Sequence, residues 1–277
     1  MKRYTTLLLL LIITTVAFSQ KKQKIKGSKN VTIEQREIGQ FNAIEVEDNL
    51  EVYLEKGEKP GIKIEADDNL HDIIQLDLKA NNLRIYTSKE ATKYNKLIVK
   101  VTYTNDLKMV TAKNETTVNA IQEVQMDTVT FKALDFSKLY LNVNTKNFHL
   151  QGDDKSKTEL NLKSAKAKIE LSNSAELKSL ITTQELTCDL YQKSEARIEG
   201  TANDAVLRID SNSRLTANNL TVKNIEVTVE GSSDCSVNAQ TKIIIVASGK
   251  SEIELYGDPK IEMQKFADEA KLIKKTK

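Results

Sequence analysis

Val227-Thr228-Val229-Glu230-Gly231-Ser232-Ser233-Asp234-Cys235-Ser236-Val237 contains the fold of this chain in miniature. Apolar residues stand two apart on each side of a polar centre, at 227 and 229 and again at 235 and 237. A period of two marks strands with one buried face. Glycine tolerates a left-handed backbone, and serine and aspartate bond to nearby amides, so the centre is a tight corner. The block reads strand, corner, strand.

The same block recurs. Seven serines, Ser137, Ser156, Ser174, Ser194, Ser213, Ser233 and Ser251, follow one another at gaps of 19, 18, 20, 19, 20 and 18 residues. Six residues before the serine stand Phe131, Leu150, Cys188, Leu207, Val227 and Ile245, and two after it Leu139, Thr158, Ala196, Leu215, Cys235 and Ile253. The Ser174 unit fits with a shift of one, placing Asn173 in the serine column and Ile169, Ala175 and Leu177 in the apolar ones. Thr116, Val118 and Ala120 echo the pattern upstream.

A fixed period near twenty residues is the mark of a solenoid. One unit holds too few apolar residues to bury a core, whereas stacked units bury their columns against one another. The expected fold is all-β, a parallel β-helix or β-solenoid with ~19-residue rungs about 4.8 Å apart, right-handed by strand twist. Leucine-rich and helical repeats lack support, since no Leu-x-x-Leu-x-Leu frame and no run of 3.6 periodicity occurs. The serine column reads first as corner hydroxyls that satisfy backbone groups, and second as a row of ligand-binding hydroxyls. Nucleophilic use is disfavoured because no repeat corner holds a histidine.

Upstream of the repeats, strands are expected at Ala43–Val46, Leu50–Leu54, Gly61–Glu65, Ile73–Leu78, Leu83–Tyr86 and Leu97–Tyr103. Glu55–Gly61 and Lys79–Asn82 read as hairpin turns. These strands form a hairpin or meander cap that covers the open first rung, whose exposed edges would otherwise template aggregation. Residues 1–19 read as a signal peptide: Lys2 and Arg3, an apolar Leu7–Val16 too short to span a membrane, and small residues before Gln20. The expected organisation is a signal peptide at 1–19, a flexible lead-in at 20–37, one domain at 38–260 (cap 38–104, repeats 105–260) and a C-terminal strand or tail at 261–277.

The formal net charge of +2 falls to 0 without Lys2 and Arg3. A neutral mixed-charge surface points away from nucleic acid. No later stretch is long and apolar enough for stable membrane insertion. Cys188 and Cys235 fall on different strands about two rungs apart, roughly 9–10 Å and beyond disulfide reach, so both are expected as buried free thiols. His71 and His149 have no ligand-spaced neighbours, and His149, between Phe148 and Leu150, should point outward. No Gly-Gly-x-Gly-x-Asp calcium repeat occurs. A glycosidase needs carboxylates flanking its bond. The residues after the serines (Lys138, Lys157, Ala175, Glu195, Arg214, Asp234, Glu252) are mixed in sign, with only Asp234 and Glu252 as acids on neighbouring rungs. The chain has no Trp and 5% aromatics, so sugar-stacking platforms are scarce. No catalytic, cofactor-binding or metal residue emerges, and no cofactor is expected.

Gly27-Ser28-Lys29-Asn30-Val31, Phe41-Asn42-Ala43-Ile44-Glu45-Val46 and Val52-Tyr53-Leu54-Glu55-Lys56-Gly57 resemble the opening of the putative auto-transporter adhesin, head GIN domain family. Glu230-Gly231-Ser232-Ser233-Asp234 and Ser248-Gly249-Lys250-Ser251 resemble its Gly-Ser-Gly-Asp corners. Leu255-Tyr256-Gly257-Asp258-Pro259-Lys260 resembles its closing segment, with Asp258 for an Asn. The resemblance covers residues 38–260; the corners at Ser137, Ser156 and Ser194 depart from it and carry lysines. It implies a β-helical, exported protein of the kind found in Bacteroidetes, with no catalytic motif.

The functional expectation is a secreted non-enzymatic envelope or surface protein: an adhesin presenting a polar solenoid face to a protein or glycan at the cell surface. That face would include Lys138, Tyr140, Glu159, Arg197, Arg208, Arg214, Glu226, Thr228, Glu252 and Glu254. The alternatives are a self-associating periplasmic scaffold, with a homo-oligomer left open, and a polysaccharide-active β-helix enzyme. Export places the chain in the periplasm, on the outer surface or outside the cell.

Overall fold

The structure, a computed structural model, describes residues 22–276, so the signal peptide expected at 1–19 lies outside the described residues. The strands in chain order are β1 (Lys24–Lys26), β2 (Val31–Arg36), β3 (Ala43–Val46), β4 (Glu51–Lys56), β5 (Gly61–Asp67), β6 (Ile74–Lys79), β7 (Asn82–Thr87), β8 (Glu90–Thr92), β9 (Leu97–Tyr103) and β10 (Met109–Ala112). The long strands follow: β11 (Thr117–Ala133), β12 (Lys138–Gly152), β13 (Lys157–Leu171), β14 (Glu176–Leu190), β15 (Glu195–Ile209), β16 (Arg214–Val229) and β17 (Asp234–Ala247). The end of the chain adds β18 (Glu252–Tyr256), β19 (Lys260–Phe266) and β20 (Lys271–Lys274).

The chain is a β-solenoid of about 9 turns with rungs of about 19 residues. Neighbouring rungs pair in parallel, as in Lys138↔Lys157↔Glu176↔Glu195. Each long strand bends at its middle, so the first halves stack into one sheet (sheet A) and the second halves into another (sheet B). The alternation of the sequence explains why this closes. Leu139, Leu141, Val143, Phe148 and Leu150 turn inward and are buried, while Lys138, Tyr140, Asn144 and Lys146 turn out. Full burial of one such apolar side chain contributes about 1.5–3 kcal/mol, and only the rungs above and below can supply that burial.

Two kinds of corner hold the halves together. At the first, two consecutive residues adopt the left-handed backbone: Asp135 and Phe136, Asp154 and Lys155, Asn173 and Ser174, Gln192 and Lys193, Ser211 and Asn212. The amide of the second bonds to the next corner, Phe136 N–H to Asp154 O at 2.9 Å, Lys155 to Asn173 at 3.0 Å and Ser174 to Gln192 at 3.0 Å. The corner is therefore satisfied by stacked backbone, whatever its side chains, and lysine-bearing corners serve as well as glycine ones. At the mid-strand bend, Thr145 Oγ1 donates to Asp127 O at 3.0 Å, and Thr183 Oγ1 to Ala165 O at 3.2 Å. Gly200 stands beside this second bend at φ +114°, where a Cβ would lie 2.1 Å from Ile181 O, so only glycine fits.

Three features differ from the sequence reading. Ala175, not Asn173, fills the serine column: Glu176 N–H bonds to Ser156 O and Glu195 N–H to Ala175 O, both at 2.9 Å. The Ser174 unit is offset by one toward the C-terminus, not toward the N-terminus, and Ser174 itself is a corner residue like Phe136 and Lys155. Glu55–Gly61 does not make a hairpin, because β9 lies between β4 and β5, parallel to the first and antiparallel to the second. Lys79–Asn82 does make one, with Ala80 and Asn81 at φ 48° and 61° joining antiparallel β6 and β7. Finally, within the segment expected as a flexible lead-in, β1 pairs with β8 and β2 with β5.

The N-terminal end is closed. β3 and β4 form a rung that stacks on β10 and β11. Beyond that rung β9, β5 and β2 extend sheet A, while β7 and β6 extend sheet B. A short 3-10 turn, Asp68–Ile73, crosses the gap between them and drives Leu70 and Ile73 into the core. Arg36 ties the two sides together, donating to His71 O at 2.9 Å and Ile74 O at 2.8 Å. Asp67, fully buried, accepts from the amides of Lys29, Asn95 and Lys96 at 2.8, 3.0 and 3.1 Å.

Candidate functional site

The serine column is interior. Ser137, Ser156, Ser194, Ser213, Ser233 and Ser251 are all buried, as is Thr116. Ser194 and Ser213 bond hydroxyl to hydroxyl at 3.4 Å, and Ser213 N–H donates to Ser233 Oγ at 3.3 Å. Such a row cannot meet a ligand, which leaves the backbone-satisfying reading. Cys188 and Cys235 are buried free thiols on opposite sheets, their pKa pushed well up by burial. His71 is buried and bonded to Thr32 Oγ1 at 2.9 Å, and His149 points outward to Glu170 at 2.5 Å. No group of three or more potential metal ligands occurs among the described residues.

The expected binding face separates into two. Lys138, Tyr140, Glu159, Arg197, Arg214, Glu252 and Glu254 lie on sheet A, whereas Arg208, Glu226 and Thr228 lie on sheet B. No single partner surface of these sheets contains all ten.

On sheet A the outward column runs Lys138, Lys157, Glu176, Glu195, Arg214, Asp234, Glu252. With Glu176 in place of Ala175, a second acidic pair appears, Glu176 beside Glu195. Each acidic pair has a cation bonded to it: Lys157 to Glu176 at 3.0 Å and Arg214 to Asp234 at 3.2 Å. Asp234, Glu252 and Glu254 line one shallow hollow of about 340 Å³ with Arg214, and Lys275 bonds to Glu254 at 3.0 Å. Glu176, Asp234 and Glu254 thus each have a cation bonded to them, whereas Glu195 and Glu252 have none within 4.0 Å among the described residues.

A larger open depression, about 630 Å³, lies on the same sheet across rungs β11 to β15. Its floor carries Ile121, Tyr140 and Leu180, which are 67%, 37% and 55% exposed on an otherwise charged and amide-rich surface. Around it stand Asn142, Asn161, Glu159, Lys178, Arg197 and Glu199. Asn161 donates to Asn142 Oδ1 at 3.1 Å, and Arg197 pairs with Glu199 at 2.9 Å. Glu159 and Lys178 have no opposite charge within 4.0 Å among the described residues. Sequence periodicity could not single out Ile121 and Leu180. Ile121 sits beside an irregularity between Ala120 and Val124, and Leu180 precedes the inward Ile181, so both looked like ordinary members of apolar runs. Ser179, half-buried where its register neighbours Leu160 and Ile198 are buried, also lines the depression.

Sheet B carries a different cluster. Glu170 accepts from Lys168 at 2.8 Å and contacts His149, and its carboxyl lies below the usual range: burial pushes it up, but these partners outweigh it. Asp189, next in its column, is buried, and that burial raises its pKa against the opposing pull of Arg208.

The chain is thus of the class of parallel β-solenoids closed at one end by antiparallel strands. The profile of the family described as "Putative auto-transporter adhesin, head GIN domain" matches residues 40–259, and the chain belongs to that family. Solved structures share the fold. A putative adhesin from Parabacteroides merdae ATCC 43184 superposes with TM-score 0.70 at 18% identity, covering 91% of this chain and 99% of that one. A putative adhesin from Parabacteroides distasonis ATCC 8503 gives TM-score 0.68 at 18% identity, over 92% and 98% of the two chains. A protein from the same strain described as a putative lipid binding protein gives 0.66 at 18% identity, over 91% and 100%. No curated protein matches the chain. No helix among the described residues is long and apolar enough to cross a membrane.

Proposed function

We propose that this chain is an exported, non-enzymatic adhesin that uses sheet A as a rigid face for a protein or glycan at the cell surface, in the periplasm, on the outer surface or outside the cell. The observation that carries the reading is the depression around Ile121, Tyr140 and Leu180. Exposed apolar side chains ringed by amides and unpaired charge are the make-up of a recognition surface. Family membership and the adhesin descriptions of the structural neighbours support the presentation role. The cations bonded to Glu176, Asp234 and Glu254 support binding without chemistry.

The test is to probe glycan and matrix-protein arrays with the mature chain, then with Leu180→Lys and Tyr140→Ala. Both positions are exposed, so thermal stability should hold. Binding should fall at least tenfold in each variant, and the bound glycan should be recovered intact. Binding that survives both substitutions would remove the depression from the reading. Release of cleaved product would replace adhesion with polysaccharide degradation.

A further inference from the structure

The three inward columns of sheet B run unbroken through the stack and stop in solvent. Ile243, Ile245 and Ala247 on β17 are fully buried; their partners on the last rung, Ile261, Met263 and Phe266 of β19, are 42%, 51% and 40% exposed. All residues of β19 are exposed, and among the described residues its one partner strand is β17, so its outer edge is unpaired. An unpaired apolar edge of this kind is a template for another strand.

The pattern of β19 says which strand. Lys260, Glu262 and Lys265 pair with the outward positions of β17, and Ile261, Met263 and Phe266 with the inward ones. Residues 261 and 266 can share a face only because the register shifts between Met263 and Lys265, leaving Gln264 as an extra residue. With that bulge the strand reads alike in both directions: apolar, charged, centre, charged, apolar. In an antiparallel pairing of β19 with a second β19, Ile261 of one copy meets Phe266 of the other on the inner side. Glu262 meets Lys265 on the outer side, twice, once in each direction. Opposite charges directly across a strand pair stabilise it, and like charges destabilise it. Lys274 of β20 bonds to Gly257 O and lies beside Asp258, and Lys275 after it bonds to Glu254, so both are engaged within their own copy.

We propose that the β19 edge is the interface of a two-fold dimer of this chain, formed end to end so that sheet B continues from one copy into the other. A two-fold interface must use the same patch on both copies, and the bulged, palindromic strand provides one. The inference is independent of the depression on sheet A, because the two sites lie on different rungs and are read by different measurements.

The experiment is sedimentation velocity on the mature chain over a hundredfold concentration range. The wild type should pass from the mass of one chain to that of two. Glu262→Lys and Lys265→Glu should each abolish the dimer by setting like charges opposite one another, with small changes in the single chain's thermal midpoint, since both positions are exposed and Glu262 gives up only a surface ion pair with Lys242. An equimolar mixture of the two variants should recover a dimer, one copy carrying two lysines and the other two glutamates at the facing positions. The double variant Glu262→Lys/Lys265→Glu should dimerise with itself. A wild type that remains a single chain at every concentration overturns the proposal and leaves the edge to a partner of another kind. So does a dimer that either single variant leaves intact.

Discussion

The two ends of this solenoid solve the same problem in opposite ways. At the N-terminal end the apolar columns run into β2, β5 and β6, the Leu70 plug and the Arg36 strap, and the inward Ile64, Leu70, Ile74 and Ile85 are buried. At the C-terminal end the same columns emerge as Ile261, Met263 and Phe266. A stack of parallel rungs has no intrinsic terminus, since each rung presents to the next the surface it received. Closure therefore has to be encoded separately. The antiparallel pairings of the cap are that encoding, and nothing among the described residues repeats them at the far end.

The sharpest way to break this contrast is a pair of substitutions in one column. Ile245 and Met263 are partners on adjacent rungs, one buried and one exposed. Ile245→Ala should lower unfolding free energy by about 2–5 kcal/mol, whereas Met263→Ala, studied in dilute solution, should cost under about 1 kcal/mol. Urea midpoints compared at one slope would measure both. Equal losses would mean that the last rung is as well covered as the rest.

A smaller effect separates the ends by pH. Burial raises the Asp67 carboxyl, but hydrogen bonds from the amides of Lys96, Lys29 and Asn95 outweigh it, and its folded pKa lies below the ordinary value. A depressed carboxylate contributes stability above its unfolded pKa, near 3.9, and that contribution is lost as pH falls through the folded value. Acid should thus open the N-terminal end selectively. Amide exchange at Lys29, Asn95 and Lys96 should accelerate below about pH 4 ahead of the repeat amides. Asp67→Ala should cost about 1–3 kcal/mol at neutral pH, through three stranded donors. Exchange that accelerates first in the repeats would show that the cap does not rest on this carboxylate.

The smallest effect concerns the repeat itself. Ser137→Ala should change stability by no more than about 0.5 kcal/mol. Its Oγ has no partner, and Ala175 already occupies the same place on another rung. A loss above 1 kcal/mol in the same denaturation assay would restore an energetic role to the hydroxyl row.

What could be read from the sequence follows from range. The rung was legible because its period of two and its return near nineteen residues are local signals, and both recur. The alignment slipped at Ser174 because a serine one place early mimicked the column, while the backbone pattern that defines the corner is invisible in side-chain identity. Phe136 and Lys155 adopt the left-handed turn without any glycine signature. Glu55–Gly61 misled for the opposite reason: two alternating strands joined by a short polar turn satisfy every local rule for a hairpin, and only a strand from forty residues later, β9, parts them. The split of outward residues over two sheets was likewise hidden, since the mid-strand bend at Thr145 and Thr183 carries no Gly or Pro. The depression on sheet A brings together a bulge and a small residue from different rungs, a coincidence of stacking that no single unit contains.

The nineteen-residue register from Lys138 through Lys157, Glu176 and Glu195 to Arg214 makes the molecule a ruler. Each rung adds one strand spacing, about 4.8 Å, and its corners bond to neighbouring corners through backbone amides and carbonyls. Removing or duplicating one whole unit, such as 157–175, would shift the distance between the plugged end and β19 by that single step and leave both ends chemically unchanged. The reach of this protein is thus a quantity that a lineage or an engineer can set in whole-number increments.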